Sequence, residues 1–374
     1  MKFIDVRKNR AEIDLEAIAH NFRYTREISG GARVCAVVKA DAYGHGAIKV
    51  AQRLMDEGCD FFAVANINEA LELRDGGIKG TILILGYVLD AYIGYAIEND
   101  VSLALDDPSH LKRIIEISGG RPVRVHIKLD TGMNRTGFDA KHYVISPALK
   151  EAVKLIKEND NIIVEGLFSH FAASDDAEKE AFTKAQYERF VNTAKALEEM
   201  GIYPEIKHIC NSASILRYKD MHQSGVRMGI SLYGCTVGDD NYRPAMQFKT
   251  VIVNTHELKT GDKVGYGMTY TADRDMKIAV IGAGYADGLK RCLSGGVGEV
   301  LCHGKRAKIV GRVCMDMTMI DISDIPEAKV GDDVTLFGED NGAYLSADEV
   351  AEWAGTISYE ILCAVSKRIP RIYK

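Results

Sequence analysis

One lysine stands at the point where an apolar segment of the chain ends. Lys39 follows a run of β-forming apolar residues over 34–38 and precedes a helical pattern that ends at Gly58. Burial in apolar surroundings disfavours a charged ammonium, so a lysine in this position is a candidate for covalent bonding to a carbonyl compound. The same lysine could instead form a structural ion pair with Asp41, and residue type and position alone do not decide between the two interpretations.

Further candidate residues lie near the ends of other apolar runs. Some follow a run, whereas Lys128 lies at the end of the fifth and Arg227 within the last. Each of them alone is typical of an ordinary structural or surface residue. Their joint occurrence directly after strand-like segments indicates one site, because the functional groups of a parallel barrel collect at the carboxyl ends of its strands. Small residues after the last two runs would also expose backbone N–H groups that suit a phosphate. The residues concerned are Lys128, Arg135, His170, Asn211, Ser212, Arg227, Gly229 and Ile230.

The elements that would position these residues alternate along the first two thirds of the chain. Short β-rich runs and amphipathic helical segments succeed one another between residues 10 and 241, and eight runs is the number that a closed parallel barrel requires. We predict strands near 33–39, 61–65, 81–85, 101–105, 123–129, 162–168, 206–210 and 225–232.

Capping residues mark several helix starts. Asp14 precedes one amphipathic segment, and Asp107-Pro108 and Ser146-Pro147 each place a capping side chain before a proline at the first helical position. A long polar helix over about 176–200 has an apolar stripe that is predicted to face the barrel. The residues of that stripe are Phe182, Phe190, Ala194 and Leu197.

The sequence pattern changes after residue 241, where β-runs and glycine turns predominate. They predict a mostly antiparallel β domain over 242–374, with one late helix at 346–354 and a last strand that ends near Tyr373. The predicted fold class is therefore α/β: a (β/α)8 TIM barrel over 10–241, followed by a mostly antiparallel β C-terminal domain. The β-runs are 251–253, 264–267, 278–281, 308–310, 319–322 and 334–337.

Composition and charge exclude several classes of function. A net charge of -6 without a basic stretch argues against nucleic acid as a partner. The N-terminus has no apolar signal region, and the most apolar window, 81–97, is interrupted by Gly86, Asp90 and Gly94, so we expect no membrane association. Eight cysteines without a C-x-x-C pair indicate reduced thiols and no metal site. These features predict a cytoplasmic enzyme.

The residues around the lysine match a known family. The segment Val-Lys-Ala-Asp-Ala-Tyr-Gly-His-Gly at 38–46 closely resembles the lysine segment of bacterial alanine racemases, barrel-type enzymes that use pyridoxal 5'-phosphate (PLP). Further segments resemble that family in the same order, so the resemblance covers essentially the whole chain. They lie at 128–137, 169–171, 210–213, 227–234, 264–267, 281–288, 311–316 and 358–360.

The resemblance implies how a cofactor would be held. Lys39 would carry PLP covalently, Arg227 would face the pyridine nitrogen, and Arg135 would face the phenolic oxygen. An arginine there would keep the nitrogen unprotonated and so, by our hypothesis, suppress transamination. Lys128 matches a lysine that is often carbamylated in the family. His170 and Asn211 would complete the cofactor site, and the phosphate would be bound by Tyr43, Ser212, Gly229, Ile230 and Tyr359.

The resemblance also implies two catalytic bases and a dimer. Inversion of a stereocentre requires proton transfer at both faces, and Lys39 and Tyr266 would serve one face each. Tyr266 would come from the other protomer of a homodimer with shared active sites, and residues 1–9 would join the second domain. Substrate would contact Arg135, Met315 and Asp316. The access channel would be lined by Asp175, Tyr285, Arg291 and Arg312.

The resemblance implies interconversion of L- and D-alanine, which would supply D-alanine for peptidoglycan. Two other kinds of PLP protein are alternatives. An amino-acid decarboxylase with a similar barrel and β domain would be expected to have an acidic residue where Arg227 stands. A non-catalytic PLP-carrier protein would resemble the barrel alone and would leave the second domain unexplained. Within racemases, the bulk of Tyr359 favours alanine, with serine as a poor substrate.

Overall fold

The structure, a computed structural model, describes residues 8–235 and 238–374. The chain divides into two folded units. One comprises 18–42 and 47–242, and the other contains the described residues up to 17 together with 43–46 and 243–374. The predicted division at 241/242 lies one residue from the observed one, whereas nothing in the sequence indicates that 43–46 belong with the second unit. Of the predicted N-terminal segment 1–9, residues 1–7 lie outside the described residues.

The first unit contains a closed barrel of eight parallel strands, and the predicted fold class is confirmed. Neighbouring strands pair in chain order, and the last strand pairs with the first, with Arg227 opposite Cys35. A ninth, two-residue strand, Phe138–Asp139, pairs in parallel with the end of the fifth barrel strand. The barrel strands are Arg33–Val37, Phe61–Val64, Thr81–Ile84, Ser102–Leu105, Val123–Asp130, Ile162–Phe168, Ile206–His208 and Gly225–Met228.

Several of the predicted strands were drawn too long, and two of these bear on the site. The first strand ends at Val37, two residues before Lys39, and the last ends at Met228 because the following residues form a 3-10 turn, Ile230–Tyr233. In both places the chain bends early at the carboxyl end of the barrel. Lys39 and Ile230 therefore lie on turns, whereas Lys128 and Arg227 lie within barrel strands.

Helices alternate with the barrel strands along the chain. The predicted caps are confirmed: Asp14 accepts the Ala17 amide, Asp107 accepts the amides of Ser109 and His110, and Ser146 accepts the Leu149 amide. Phe182 is 40% exposed, so its assignment to the buried stripe was wrong. The α-helices of this part of the chain are Leu15–Ile28, Ala47–Asp56, Ile67–Asp75, Asp90–Glu98, Pro108–Ser118, Pro147–Lys157, Glu180–Glu199 and Ser212–Arg217.

The second unit is built on a nine-stranded, mostly antiparallel sheet. Its only parallel pair among the described residues joins the first and last strands of the chain. In sheet order the strands are Ala343–Leu345, Asp333–Asp340, Glu299–Cys302, Lys305–Val310, Thr318–Asp321, Met276–Ile281, Met246–Leu258, Arg10–Ile13 and Arg371–Tyr373.

Two local predictions for this unit were wrong. The run 264–267 is not a strand: pairing is limited to Lys263–Val264 with Tyr270–Thr271, and a 3-10 turn, Tyr266–Met268, lies between them. There are also two late helices rather than one, Ala347–Trp353 and Ser358–Ala364. The second of these helices carries Tyr359 and was not predicted from the sequence.

Candidate active site

Lys39 begins a left-handed turn. Ala40, Asp41 and Ala42 have φ between 52 and 55° and ψ between 48 and 50°, and Tyr43 has φ 53°. Such a conformation costs roughly 1–2 kcal/mol per non-glycine residue, because Cβ approaches the following carbonyl oxygen. Four consecutive residues of this kind persist only where the surrounding structure holds them.

Two carboxylates hold this turn. Glu69, in the first turn of helix Ile67–Asp75, accepts the amide of Ala40 at 2.8 Å and that of Ala65 at 2.7 Å. Asp41 accepts the amide of Ala47 at 2.8 Å, at the start of the next helix. The peptide that directly follows Lys39 is thereby fixed by the helix that follows the second barrel strand.

Four cationic side chains act on His170. Burial lowers the pKa of His170 well below its usual value, and the charges of Arg227, Arg135, Lys39 and Lys128 lower it further. The imidazole is therefore neutral at physiological pH. Its Nδ1 accepts a hydrogen bond from Nη2 of Arg227 at 3.0 Å, so the ring proton lies on Nε2.

Lys128 lies in the barrel with little exposure. Its Nζ donates to the carbonyl oxygen of Leu85 at 3.3 Å and lies 5.4 Å from the ring centre of Phe168. Burial, together with the charge of Arg135, lowers the pKa of Lys128 to about 8. An amine with that pKa is about one tenth neutral at pH 7, enough to act as a nucleophile.

Arg227 is buried and held by its two terminal nitrogens. Nη1 donates to Nδ1 and the carbonyl oxygen of His208 at 2.9 and 3.0 Å, and Nη2 donates to the carbonyl oxygens of Ser169 and Ile209 as well as to His170. Burial lowers the pKa of Arg227 to about 10, so the guanidinium stays charged at neutral pH. Within the described residues no acceptor takes the Nε proton, which leaves one oriented donor for a bound group.

Ser212 gathers the small residues that follow the last two barrel strands. Its Oγ accepts the amides of Gly229 at 2.9 Å and Ser231 at 3.2 Å, so its own proton is directed elsewhere. The Gly229 amide, predicted to bind phosphate, is engaged by Ser212 here. Ile230 begins the 3-10 turn, and the first amide of such a turn has no carbonyl partner within it.

Two predicted site residues are placed by local capping. Asn211 caps helix Ser212–Arg217: its side-chain oxygen accepts the Ser214 amide at 3.2 Å and the Ser174 hydroxyl at 2.8 Å. Arg135 is exposed on the loop after the fifth barrel strand. That loop is tied by Asp130, whose Oδ1 accepts two backbone amides of the loop at 3.0 Å each.

In the second unit, the two predicted phosphate-binding tyrosines lie side by side. The ring centres of Tyr43 and Tyr359 are 5.8 Å apart with the planes tilted by 49°. Burial raises the pKa of Tyr43, and the neighbouring Tyr359 raises it further, so the phenol remains a hydrogen-bond donor at all working pH values. Gly44 follows in a left-handed conformation, and a Cβ there would lie 2.7 Å from the carbonyl oxygen of Leu362.

Tyr266 projects from the 3-10 turn Tyr266–Met268 and is 71% exposed. Gly265 and Gly267 flank it with φ of 70° and 72°. Added Cβ atoms at these glycines would lie 2.9 Å from Met319 and 3.0 Å from Arg312, respectively, so both positions favour glycine.

Met315 and Asp316 lie on a loop braced by the segment 284–287. The amides of Tyr285 and Ala286 donate to the carbonyl oxygens of Cys314 and Met315 at 2.9 and 3.0 Å. Gly284 is required there, because a Cβ would lie 2.3 Å from one of these oxygens and 2.4 Å from the other.

An arginine and a buried carboxylate complete this brace. Arg368 bridges Asp316 and the fully buried Asp287 at 2.8 Å each. Asp287 in turn accepts the Gly284 amide at 2.9 Å, so the Met315 loop is fixed from both sides.

The four predicted channel residues are divided between the units. Asp175 is exposed in the barrel unit, where its carbonyl oxygen accepts a hydrogen bond from Arg217. In the second unit Tyr285 is 44% exposed, Arg291 is exposed and Arg312 is half-buried beside Gly267. Each unit thus presents polar residues of the predicted channel.

Several residues of the site were missed by sequence reasoning. Glu69 follows its N-cap Asn66 by three residues, a capping pattern that predicts a helix start but not a bond to Ala40. Glu165 is an isolated polar residue in the apolar run 162–168, which was a signal available in the sequence. His126 and His208 stand among other polar residues of their strands and gave no such signal. Arg368 gave no signal.

The described residues contain neither a cluster of potential metal ligands nor a helix suited to span a membrane. No group of three or more potential metal ligands occurs in 8–235 and 238–374, and all cysteines there are free thiols. Across the same residues, no helix combines the length and the apolar character needed to span a membrane.

The barrel is closed, has a lysine just after its first strand and has a cluster of cations around His170. The chain then continues into a β domain. These features together are typical of one class of barrel enzymes. Two family models match: "Alanine racemase, N-terminal domain" over residues 13–237 and "Alanine racemase, C-terminal domain" over 245–373. The chain therefore belongs to the alanine racemase family, whose members are isomerases.

Individual relatives agree with this assignment. The chain is 42% identical to "Alanine racemase 2" of Caldanaerobacter subterraneus, over 99% of this chain and 96% of that protein. It is 42% identical to an alanine racemase of Methanococcus maripaludis, over 97% and 98%. Among solved structures, an alanine racemase of Streptomyces lavendulae superposes with a TM-score of 0.92 at 31% identity, over 100% and 98% of the two chains. One from Clostridium difficile in complex with cycloserine gives 0.89 at 36%, over 99% and 96%.

Proposed function

We propose that this protein interconverts L-alanine and D-alanine with PLP bound covalently to Lys39. The observation that carries the proposal is the convergence of four cations on the neutral His170 at the carboxyl edge of the barrel. A phosphorylated, anionic cofactor and an amino-acid carboxylate both require such a basic environment. The enzyme class follows from the family, and substrate and cofactor are the parts proposed here.

The donor set fits PLP. Arg227 offers one oriented Nε–H to a ring nitrogen and is never an acid at working pH. The hydroxyl of Ser212 and the first amide of the turn at Ile230 are suited to phosphate oxygens, as are the phenols of Tyr43 and Tyr359. When bound, PLP supplies an electron sink for the pair left at the α-carbon.

The protein's own residues would then move the proton. Lys39 is proposed to hold or take the α-proton at Nζ on one face, while the phenol oxygen of Tyr266 serves the opposite face. His170 presents its Nε2–H as a donor, because Nδ1 is committed to Arg227. Arg135 and the braced Met315–Asp316 loop would bind the substrate carboxylate and so orient the Cα–H bond.

A homodimer with shared sites is part of the proposal. The surface around Tyr266 is apolar: Met268, Met315 and Met317 are 66%, 53% and 49% exposed. A groove of about 570 Å³ in the same unit is lined by Val253, Tyr266, Met317 and Met319 among others. Exposed apolar surface of this kind is typical of a protein interface. A second copy of the chain would cover it and receive Tyr266 in its site.

The central experiment follows the optical rotation of L-alanine with purified protein and PLP. Loss of rotation to zero is expected, together with a visible absorbance band that borohydride bleaches and that peptide mass spectrometry maps to Lys39. Release of CO2 instead would indicate the decarboxylase, and a visible band without turnover of any amino acid would indicate a PLP carrier. L-Serine in place of L-alanine should be turned over slowly, since an apolar pocket discriminates weakly against one hydroxyl.

Complementation tests the shared sites. Inactive Lys39→Ala and Tyr266→Phe proteins are mixed, dissociated and reassociated. If each site combines the lysine of one protomer with the tyrosine of the other, half of the dimers are mixed and each has one intact site, so about a quarter of wild-type activity should return. No recovery at any mixing ratio would contradict shared sites.

We further propose that the enzyme works in the cytoplasm and that its D-alanine enters peptidoglycan. The family assignment supports this role. In a bacterial host, loss of the gene should make growth dependent on added D-alanine, and growth without supplement would argue against the role.

A further inference from the structure

A line of four buried side chains crosses the barrel interior behind Arg227. Nη1 of Arg227 contacts Nδ1 of His208 at 2.9 Å, and Nε2 of His208 contacts Nδ1 of His126 at 3.0 Å. Nε2 of His126 contacts Oε2 of Glu165 at 2.9 Å. We call these four residues the relay. The proposed chemistry at Lys39 and Tyr266 uses only Arg227 among them.

The relay is built into the packing of the barrel. Both histidines are fully buried, and Glu165 is 8% exposed. The rings of Phe168 and His208 stack with centres 5.2 Å apart and planes 7° apart. Gly166 makes room for His126, since a Cβ there would lie 2.1 Å from the imidazole Nδ1. No solvent is needed to connect the four groups.

Every proton of the relay has one possible position. The guanidinium of Arg227 only donates, so Nδ1 of His208 must accept and the proton of that ring must be on Nε2. His208 then donates to Nδ1 of His126, which places the His126 proton on Nε2, where it faces Glu165. The carboxylate only accepts, so the order of donors from Arg227 to Glu165 is complete and cannot be reversed.

The charge states agree with this order. Burial lowers the pKa of both His126 and His208, so each ring is neutral. Burial alone would raise the pKa of Glu165, but hydrogen bonds from His126 and Ser102 outweigh it and lower the pKa to about 2. Glu165 is thus a buried anion, and Arg227, whose own partners are carbonyl oxygens and imidazoles, is a buried cation.

We propose that Glu165 is a positioning residue for Arg227: through His126 and His208 it supplies the negative end that fixes the guanidinium's charge and orientation from the far side of the barrel. A buried cation without an anion is costly, and a neutral chain of imidazoles transmits orientation without proton transfer. The consequence rests on the proposed function, because a fixed, charged Arg227 keeps a cofactor ring nitrogen unprotonated.

The tautomers can be tested without turnover. Neutron diffraction from deuterated crystals is expected to show deuterons on Nε2 of His126 and of His208, none on Nδ1 of either ring, and none on Glu165. A deuteron on either Nδ1 or on the carboxylate would overturn the relay. This result is independent of which reaction the enzyme catalyses, so failure of the racemase proposal would leave it intact.

The effect on Arg227 is tested by Glu165→Gln in the PLP-loaded enzyme. The substitution keeps an acceptor for His126 but removes the charge, and the ratio of transamination to racemisation should rise at least threefold, with a shift of the visible absorbance band. His126→Gln should hold both values near wild type, because an amide can donate to Glu165 and accept from His208. His126→Leu should raise the ratio.

Controls separate positioning from stability. Thr81→Val removes a 3.3 Å bond to the other oxygen of Glu165 and leaves the three contacts from Arg227 to Glu165 in place, and Glu12→Gln alters a buried carboxylate elsewhere in the chain. Both should leave the ratio and the band unchanged whatever they do to the melting temperature. An unchanged ratio and band in Glu165→Gln, with only a lower melting temperature, would overturn the proposal. If Glu165→Gln does not fold, the two His126 variants decide instead. An equal ratio of transamination to racemisation in His126→Leu and His126→Gln would overturn the proposal.

Discussion

The two proposed bases stand on turns that differ in almost every respect. Lys39 lies at the start of four left-handed residues, none of them glycine, that Glu69 and Asp41 tie to neighbouring elements. Tyr266 lies between two glycines on a short turn and is 71% exposed. The first turn is left-handed at four successive non-glycine residues and is anchored, whereas the second has one such residue, Met268, and is open to solvent.

This difference indicates where the positional information for each base resides. The protomer alone fixes the backbone of Lys39 and brings its charge near His170 together with those of three other cationic side chains, so that half of the proposed site is preorganised within one chain. Within 8–235 and 238–374 no carboxylate accepts a backbone amide of the turn at Tyr266, and its exposed surroundings are apolar. In the homodimer proposed above, the second copy would supply the contacts that position Tyr266.

The largest effect should come from the anchored turn. Lys39→Ala removes the covalent attachment point and one base together, so racemisation should fall by about 10⁴-fold or more. Racemisation is measured as the loss of optical rotation of L-alanine. Attachment of the cofactor is measured by mass spectrometry after borohydride reduction. Lys49→Ala, an exposed lysine on the following helix, is the matched control and should retain both properties. Substantial racemisation by Lys39→Ala would remove the basis of the comparison.

Tyr266→Phe tests the open turn. The loss of one general acid–base group should lower racemisation by about 10²–10⁴-fold, while the cofactor stays attached to Lys39. Exchange of the α-proton with solvent deuterium from one enantiomer should persist, because the Lys39 face is intact. Tyr203→Phe, which alters another strongly exposed tyrosine, is the control and should behave like wild type. Equal loss of exchange from both enantiomers would show that Tyr266 does not serve a single face.

Glu69→Ala asks whether the anchoring matters. Two charge-assisted bonds to backbone amides are lost, so the free energy of unfolding should fall by about 1.5–3 kcal/mol, and racemisation by about 10- to 100-fold because Lys39 is displaced. Denaturant titration and kcat measure the two effects. Glu72→Ala, one turn along the same helix and exposed, should change the free energy of unfolding by less than about 0.5 kcal/mol. A stability loss without any loss of kcat would mean that the left-handed turn does not position Lys39.

The contrast between the turns also shows what the sequence could reveal. Apolar runs and capping residues such as Asp107 and Ser146 act locally, so barrel, strand count and helix starts followed from them. The left-handed turn did not, because its residues, Ala40, Asp41 and Ala42, have no intrinsic preference for positive φ and are held by a carboxylate 29 residues away. Long-range bonds between polar groups, such as His126 to Glu165, leave no periodic signal.

Modification of Lys128 is expected to have the smallest effect on kcat. It tests how Arg135 is oriented in the part of the proposed site that one chain preorganises. With its pKa lowered to about 8 by burial and by Arg135, about half of the amine is neutral at pH 8. A neutral buried amine can add CO2, and the resulting carbamate anion would face the charge of Arg135. In protein equilibrated with ¹³C-bicarbonate at pH 8, a carbamate carbon signal is expected that is absent from Lys128→Arg and retained in Lys112→Arg, an exposed lysine. Bicarbonate should raise kcat by no more than a few-fold, since the carbamate orients Arg135 without touching the transferred proton. A signal that survives in Lys128→Arg would place the reactive amine elsewhere and leave Arg135 to be oriented by its loop alone.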